Sequence, residues 1–221
     1  MAGAALLAVR CDDLDLSEVA RRTLEGRPGK AIVAVGLRGT GKTVLLNRFA
    51  EIGVEEGFHV GVIEAPEPGD LPGLLVARLR RILLALDEER RTAKVLRALR
   101  VLKTFTFQLP HDAGAISLDV EALAGAADSG NLADDVTDLL IAAGEASAER
   151  ARGVMLAIDE LQNVSSQELA ALITAVHRTA QLDLPVLLVG AGLPSLPALV
   201  GAAKSYAERL FEFPRIGSLP P

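Results

Sequence analysis

The sequence predicts an α/β fold in which a mostly parallel, five-stranded sheet lies between two layers of helices, and three observations support this. Short apolar runs of strand length alternate with segments of helical period along most of the chain, the pattern of a parallel sheet covered on both faces. The first such run, Ala31 to Val35, leads directly into a glycine-rich loop that opens a helix. A later run, Val154 to Ile158, ends in two carboxylates, Asp159 and Glu160.

The elements follow in order. Asp15 with Glu18 three positions on marks a helix start, with Leu16, Val19, Ala20 and Leu24 on one side and Gly26, Pro28 and Gly29 ending it. After the first strand and its loop, Val44, Leu45, Phe49 and Ile52 mark a second helix. His59 to Glu64 reads as the second strand, closed by Pro66, Pro68, Gly69 and Pro72. Leu71, Leu75, Leu79, Ile82, Leu83 and Leu86 recur at helical spacing, and Val95, Leu96, Leu99 and Leu102 continue in another helix. Phe105, Phe107 and Leu109, then Ile116, Leu118 and Val120 beyond Pro110 to Gly114, alternate with polar residues. That period of two predicts a β-hairpin inserted between the second and third strands. Helical period returns from about Asn131 to Arg150, and Val154 to Ile158 is the third strand. Ser165 and Glu168 form a capping box for a helix bearing Leu169, Leu172, Ile173 and Val176. Val186 to Val189 is the fourth strand and Phe211 to Phe213 the fifth.

Composition narrows the class. The 221 residues suffice to bury one α/β core, so a single domain over residues 1–221, with an insert at about 71–130, is expected. Half the residues are hydrophobic, but no apolar stretch reaches the roughly 18 residues of a membrane span. Met1 to Val9 is too short and lacks the basic start of an export signal, so the cytoplasm is the expected location. Cys11 is the only cysteine, which excludes an internal disulfide. His59, His111 and His177 lack metal-ligand spacing. The net charge of −6 argues against a nucleic-acid footprint over the whole surface. A local basic stretch from Arg78 to Lys103 reads first as a solvated helical face and second as a docking patch.

Two motifs carry the chemistry. Gly36, Leu37, Arg38, Gly39, Thr40, Gly41, Lys42 and Thr43 match G-x-x-x-x-G-K-[ST] at every fixed position, after a strand and before a helix that continues with Val44. Glycines let successive amide N–H groups turn inward on phosphates, and the helix start adds its positive dipole end. Lys42 is placed to reach the β and γ phosphates of ATP, and Thr43 to offer its hydroxyl to Mg²⁺. Asp159, delivered by an apolar strand, is the expected carboxylate on the magnesium side, with Glu160 accepting a proton from the attacking water. Alone, an Asp-Glu pair after a strand reads as a turn or helix cap. Both loop and pair belong beyond the carboxyl ends of the strands, where ligands sit in open parallel sheets.

These residues resemble the AAA+ branch of the P-loop nucleoside triphosphatases, and in particular the Orc1-like AAA ATPase domain of actinobacterial ATP-binding proteins. Val9 to Asp13 resembles the family's V-G-R-[DE]-[DE] start, with Arg10 and Cys11 where glycine and arginine are expected. Further matches are Ala127 to Gly130, Ile158 to Gln162, Leu184-Pro185 leading to Gly190 through Pro194, and Ala203 to Phe211. The resemblance implies a five-stranded core followed by a helical lid and, often, a winged helix; because the sequence stops at Pro221, a lid is expected to be absent. It also implies that Arg209 is offered in trans to a neighbour's γ-phosphate, and hence a homo-oligomer. Where many such enzymes place a polar sensor after the fourth strand, this chain has Gly190, Ala191 and Gly192. Three functions stay open. They are an ATPase switch, a nucleotide-dependent DNA-binding module using residues 78–103 or a segment outside this chain, and a nonhydrolysing ATP-binding scaffold. A small-molecule kinase is a fourth, against which the carboxylates after the third strand argue for water as acceptor.

Overall fold

The computed structural model describes residues 15–27, 29–67, 70–89, 91–109 and 118–217. Its elements are α1 (Leu16–Leu24), β1 (Ala31–Gly36), α2 (Lys42–Glu55), β2 (Phe58–Glu64), α3 (Leu71–Glu89), α4 (Ala93–Gln108), α5 (Leu132–Ala148), β3 (Gly153–Asp159), α6 (Ser166–Gln181), β4 (Val186–Gly192), α7 (Leu196–Ala203), β5 (Phe211–Glu212) and β6 (Arg215–Ile216). The strands run parallel in the order β2-β3-β4-β1-β5, with β6 also on β1. β5 and β6 are two pieces of one fifth strand. Ala31 pairs with Phe211 and Gly36 with Ile216, in one unbroken register. Between the pieces Val35 N donates to Pro214 O at 2.9 Å, while Pro214 itself has no N–H to donate.

Burial explains why these runs are strands. Every residue of β1, β3 and β4 is buried, as central strands covered on both faces require, whereas edge strand β2 alternates toward solvent. Within β1, Ile32 and Ala34 join the core beneath α1 and α2, and Val33 and Val35 join the larger core on the opposite face. Met155 and Ala157 of β3 likewise face α2, while Val154, Leu156 and Ile158 face α3, α5 and α6. The result is the expected three-layer sandwich. Helix starts follow their caps: Asp15 accepts from Glu18 N at 3.1 Å, and Asn131 accepts from Ala133 N at 2.9 Å. Ser165 and Glu168 form both halves of their capping box, and Glu168 also accepts from Leu71 N at 2.9 Å, pinning the start of α3 to the start of α6.

The inserted hairpin is corrected. Phe105 and Phe107 belong to α4, capped by Thr92, which accepts from Val95 N at 3.2 Å. Val95, Ala98, Leu99, Leu102 and Phe105 form one buried stripe at helical spacing, and Phe107 falls on the outer face. Thr104 and Thr106 fit the helix because their hydroxyls donate to the carbonyls four residues back, at 3.0 and 2.8 Å. The proposed turn from Pro110 to Gly114 and the second-arm residue Ile116 lie outside the described residues. Leu118 and Val120 lie in an irregular segment beside α4, their carbonyls accepting from Lys103.

Much of the basic stretch is engaged internally. Arg97 pairs with Glu145 at 2.7 Å, Lys94 with Glu149 at 4.0 Å and Arg91 with Asp87 at 3.6 Å, while Arg100 donates to Glu121 O at 3.2 Å. Two of these pairs tie α4 to α5 and to Glu149 just past its end. Replacing Phe105, 1% exposed, by alanine is expected to cost about 3–4 kcal/mol in urea denaturation. Phe107→Ala, at a side chain 67% exposed, should stay within about 0.5 kcal/mol. In a hairpin the two rings would share one face, so equal losses would count against the helix.

Candidate functional site

β1 ends at Gly36 and α2 begins at Lys42, so Leu37 to Gly41 form a tight connection at the carboxyl end of the sheet. Gly39 and Gly41 have φ of 78° and 85°, and a Cβ added at either meets nothing within 4 Å. Backbone conformation, not crowding, therefore calls for glycine. Gly41 is the N-cap of α2, its carbonyl accepting from Leu45 N at 3.0 Å, and no side chain caps the helix or places an acid in its first turn. The free N–H groups and positive dipole end of a 14-residue helix thus face the loop.

Lys42 is only 6% exposed, and its Nζ donates to Leu37 O at 2.9 Å. The same carbonyl accepts from Thr40 Oγ1 at 2.8 Å, so two side chains brace the loop from within. Leu37, Arg38 and Val44 point to solvent. Thr43 Oγ1 donates to Asp159 Oδ2 at 2.6 Å, joining the first turn of α2 to the end of β3, and Asp159 Oδ1 accepts from Glu160 N at 2.8 Å. Asp159 is 6% exposed, with each carboxylate oxygen satisfied by a neutral donor. The loop residues and Asp159 are therefore brought together as expected.

Glu160 follows in a left-handed conformation, φ 52° and ψ 38°, which costs a non-glycine residue about 1–2 kcal/mol. The turn it opens is tied on two sides. Asn163 Nδ2 donates to Ala65 O, just past β2, at 3.0 Å. Gln162 donates to the Glu160 carboxylate, and its own carbonyl oxygen accepts from Leu193 N, just past β4, at 3.0 Å. Sequence reasoning assigned no role to Gln162 or Asn163; their amide side chains at the mouth of an apolar strand were the available signal.

Arg209 is placed elsewhere. It is exposed in a short 3-10 turn, Ala207–Arg209, just before β5, which pairs with the first residues of β1. The length of β1, five steps of about 3.3 Å, therefore separates it from its own loop. The resembling start, Val9 to Asp13, lies outside the described residues. Among the described residues no group of three His, Cys, Asp or Glu could hold a metal ion alone. A cleft of about 400 Å³ beside the loop is lined by Val35, Leu37, Pro197, Phe213 and Arg215 among others, but by none of Lys42, Thr43 and Asp159. The candidate site is the loop with the acidic pair, not this cleft.

A parallel 5-1-4-3-2 sheet with a glycine loop after β1 and a carboxylate pair after β3 is the P-loop AAA+ fold. The chain belongs to the AAA ATPase domain family, whose model matches residues 10–189, and is in kind a nucleotide-binding ATPase domain. No curated protein matches it. Among solved structures it is similar to Cdc6p from Pyrobaculum aerophilum, with 16% identity and a TM-score of 0.47 over 91% of this chain and 43% of that one. It is also similar to PCH-2 of C. elegans, with 14% identity and a TM-score of 0.45 over 93% of this chain and 41% of that one. The chain thus spans less than half the length of either.

Removing the bridging hydroxyl tests the construction of the site. Thr43→Val should lower nucleotide-free stability by about 1–3 kcal/mol in denaturant titration, because Asp159 Oδ2 loses its donor. An unchanged midpoint would mean that the bond contributes nothing to holding β3 against α2.

Proposed function

We propose that the chain binds ATP with Mg²⁺ and transfers the γ-phosphoryl group to water, and that this cycle serves as a nucleotide-dependent switch. The observation that supports the reading is the Thr43–Asp159 bond beside the glycine loop, which sets a hydroxyl and a carboxylate, both hard oxygen ligands, next to that loop. Since no three-carboxylate or histidine cluster is available among the described residues, a metal at this point needs oxygens from a bound nucleotide, which suits Mg²⁺. Thr43 and Asp159 would hold it, and it would neutralise charge on the β and γ phosphates.

The chain's own residues account for the remaining steps. Lys42, now held by the Leu37 carbonyl, exchanges that partner for phosphate oxygen, and the uncapped start of α2 supplies further N–H donors. Glu160 at the mouth of the site accepts a proton as water attacks. No helix among the described residues is long and apolar enough to cross a membrane. Arg209, exposed and a strand's length from its own loop, supports a trans role toward a second copy and hence a homo-oligomer. The DNA-binding reading draws little from residues 78–103, since Arg91, Lys94 and Arg97 already face carboxylates. The glycines ending β4 are the observation favouring a nonhydrolysing scaffold.

ATP affinity and steady-state turnover with and without Mg²⁺, at two protein concentrations, test these readings. Lys42→Ala should weaken ATP binding by roughly a hundredfold or more, and an unchanged affinity would count against the phosphate assignment. Glu160→Gln should bind ATP within a few-fold of wild type while turnover falls by about 10²–10⁴. Tight binding without turnover in either protein would favour the scaffold. If Arg209 acts in trans, Arg209→Ala should lose activity that is partly restored by mixing with Lys42→Ala; without restoration Arg209 is an ordinary surface arginine.

A further inference from the structure

The side-chain amide of Gln162 spans two groups that the fold holds apart in sequence. Its carbonyl oxygen accepts from the backbone N–H of Leu193, and its nitrogen donates to Glu160 and, at 3.4 Å, to Asn163 Oδ1. The orientation is not interchangeable. A backbone N–H only donates, so Gln162 Oε1 must face Leu193, which leaves Nε2 for the carboxylate. We infer that Gln162 is the positioning residue for Glu160, holding one carboxylate oxygen from the β4 side so that the other is presented to water, an inference that rests on the hydrolytic reading above.

The surroundings are built for this arrangement. β4 ends in Gly190, Ala191 and Gly192, with no polar side chain of its own. A Cβ on Gly192 would lie 2.9 Å from Gln162 Oε1 and 2.7 Å from Leu196 Cδ2, so the missing side chain at the strand end admits the amide. A polar residue on β4 and Gln162 in its present place would compete for the same space. The amide reaching across from the turn after β3 thus supplies the polar group that the end of β4 lacks. Asn163 holds the other side of that turn to Ala65 O, so Gln162 is anchored on a fixed base.

Two substitutions separate positioning from mere support of the backbone. Gln162→Glu keeps an acceptor for Leu193 N–H but sets a second carboxylate against Glu160; Gln162→Leu keeps volume and loses all three bonds. If Gln162 only satisfies Leu193 and its nitrogen end does not face the Glu160 carboxylate, the first variant should behave like wild type and the second should be impaired. If it positions Glu160, both should lose kcat by roughly tenfold or more, with KM for ATP within about twofold of wild type. A readout independent of turnover accompanies this: in nucleotide-free, ¹⁵N-labelled protein, the Gln162 side-chain amide signals, assigned by their loss in Gln162→Leu, should shift in Glu160→Ala. Unchanged kcat in Gln162→Glu, with an active wild type, overturns the inference and leaves the ATPase reading standing. A wild type that binds ATP without turning it over fails the hydrolytic reading instead. In that case amide signals that move with Glu160 uphold the contact, and signals that do not move overturn it.

Discussion

β4 is bonded to β1 along one edge and to β3 along the other, in a register that sets Gly190 opposite both Val33 and Ile158. This register carries β1 and β3 to the same end of the sheet, β1 running two residues further, although they are not neighbours. The loop leaving β1 and the carboxylates leaving β3 then open onto the same end of the sheet, and Thr43 reaches Asp159. A shift of one residue in either pairing would turn alternate side chains of the buried strands to the wrong core. The apolar faces that fix the register, Ile32, Met155 and Leu187 toward α2 and Val33, Leu156 and Leu188 toward α3, α5 and α6, therefore also fix the site.

The polar groups at this end are satisfied largely by one another. Lys42 and Thr40 share the Leu37 carbonyl, Thr43 and the Glu160 amide divide the oxygens of Asp159, and Gln162 and Asn163 tie the intervening turn to β4 and β2. Buried polar groups left without partners would each cost about 1–3 kcal/mol, so such mutual satisfaction makes the arrangement stable without a ligand. It also makes the proposed exchange at Lys42 inexpensive, because a phosphate oxygen taking the place of the Leu37 carbonyl would replace one bond by one bond. The left-handed backbone of Glu160 runs the other way: it is a local cost, held in place by the ties on either side of it.

The sequence displayed the parts of the site that carry a signature in their own local run of residues. Gly36 to Thr43 are legible because the loop is a local device, and Asp159 because a wholly apolar strand ending in a carboxylate is itself informative. Gln162 was not legible in the same way, since its partner Leu193 lies 31 residues on and is a backbone group with no signature in residue type. The hairpin failed for a related reason. Phe105 and Phe107 alternate with threonines, but periodicity over so few residues cannot separate period two from one turn of helix, and the stripe from Val95 to Phe105 decided the matter. The split fifth strand was half visible: Phe211 carries apolar character, whereas Arg215 contributes through backbone pairing to Val35.

The connection from β4 to β5 has the two functional candidates at its opposite ends. Leu193, which fixes Gln162, leaves the carboxyl end of the sheet; Arg209 emerges near the amino end, with α7 between them. That connection is packed along its length, since Leu196, Val200 and Ala207 are buried in the larger core. It cannot fold back to bring Arg209 to its own loop without emptying that core. Within one copy the arginine is therefore held at the far end from its own loop, which is why the proposed contact is with a second molecule. The same confinement means that a neighbour bearing on Arg209 bears on a segment whose other end holds the amide beside Glu160. The proposed trans contact and the proposed clamp on the glutamate thus lie at the two ends of one connection, which Leu196, Val200 and Ala207 hold against the larger core.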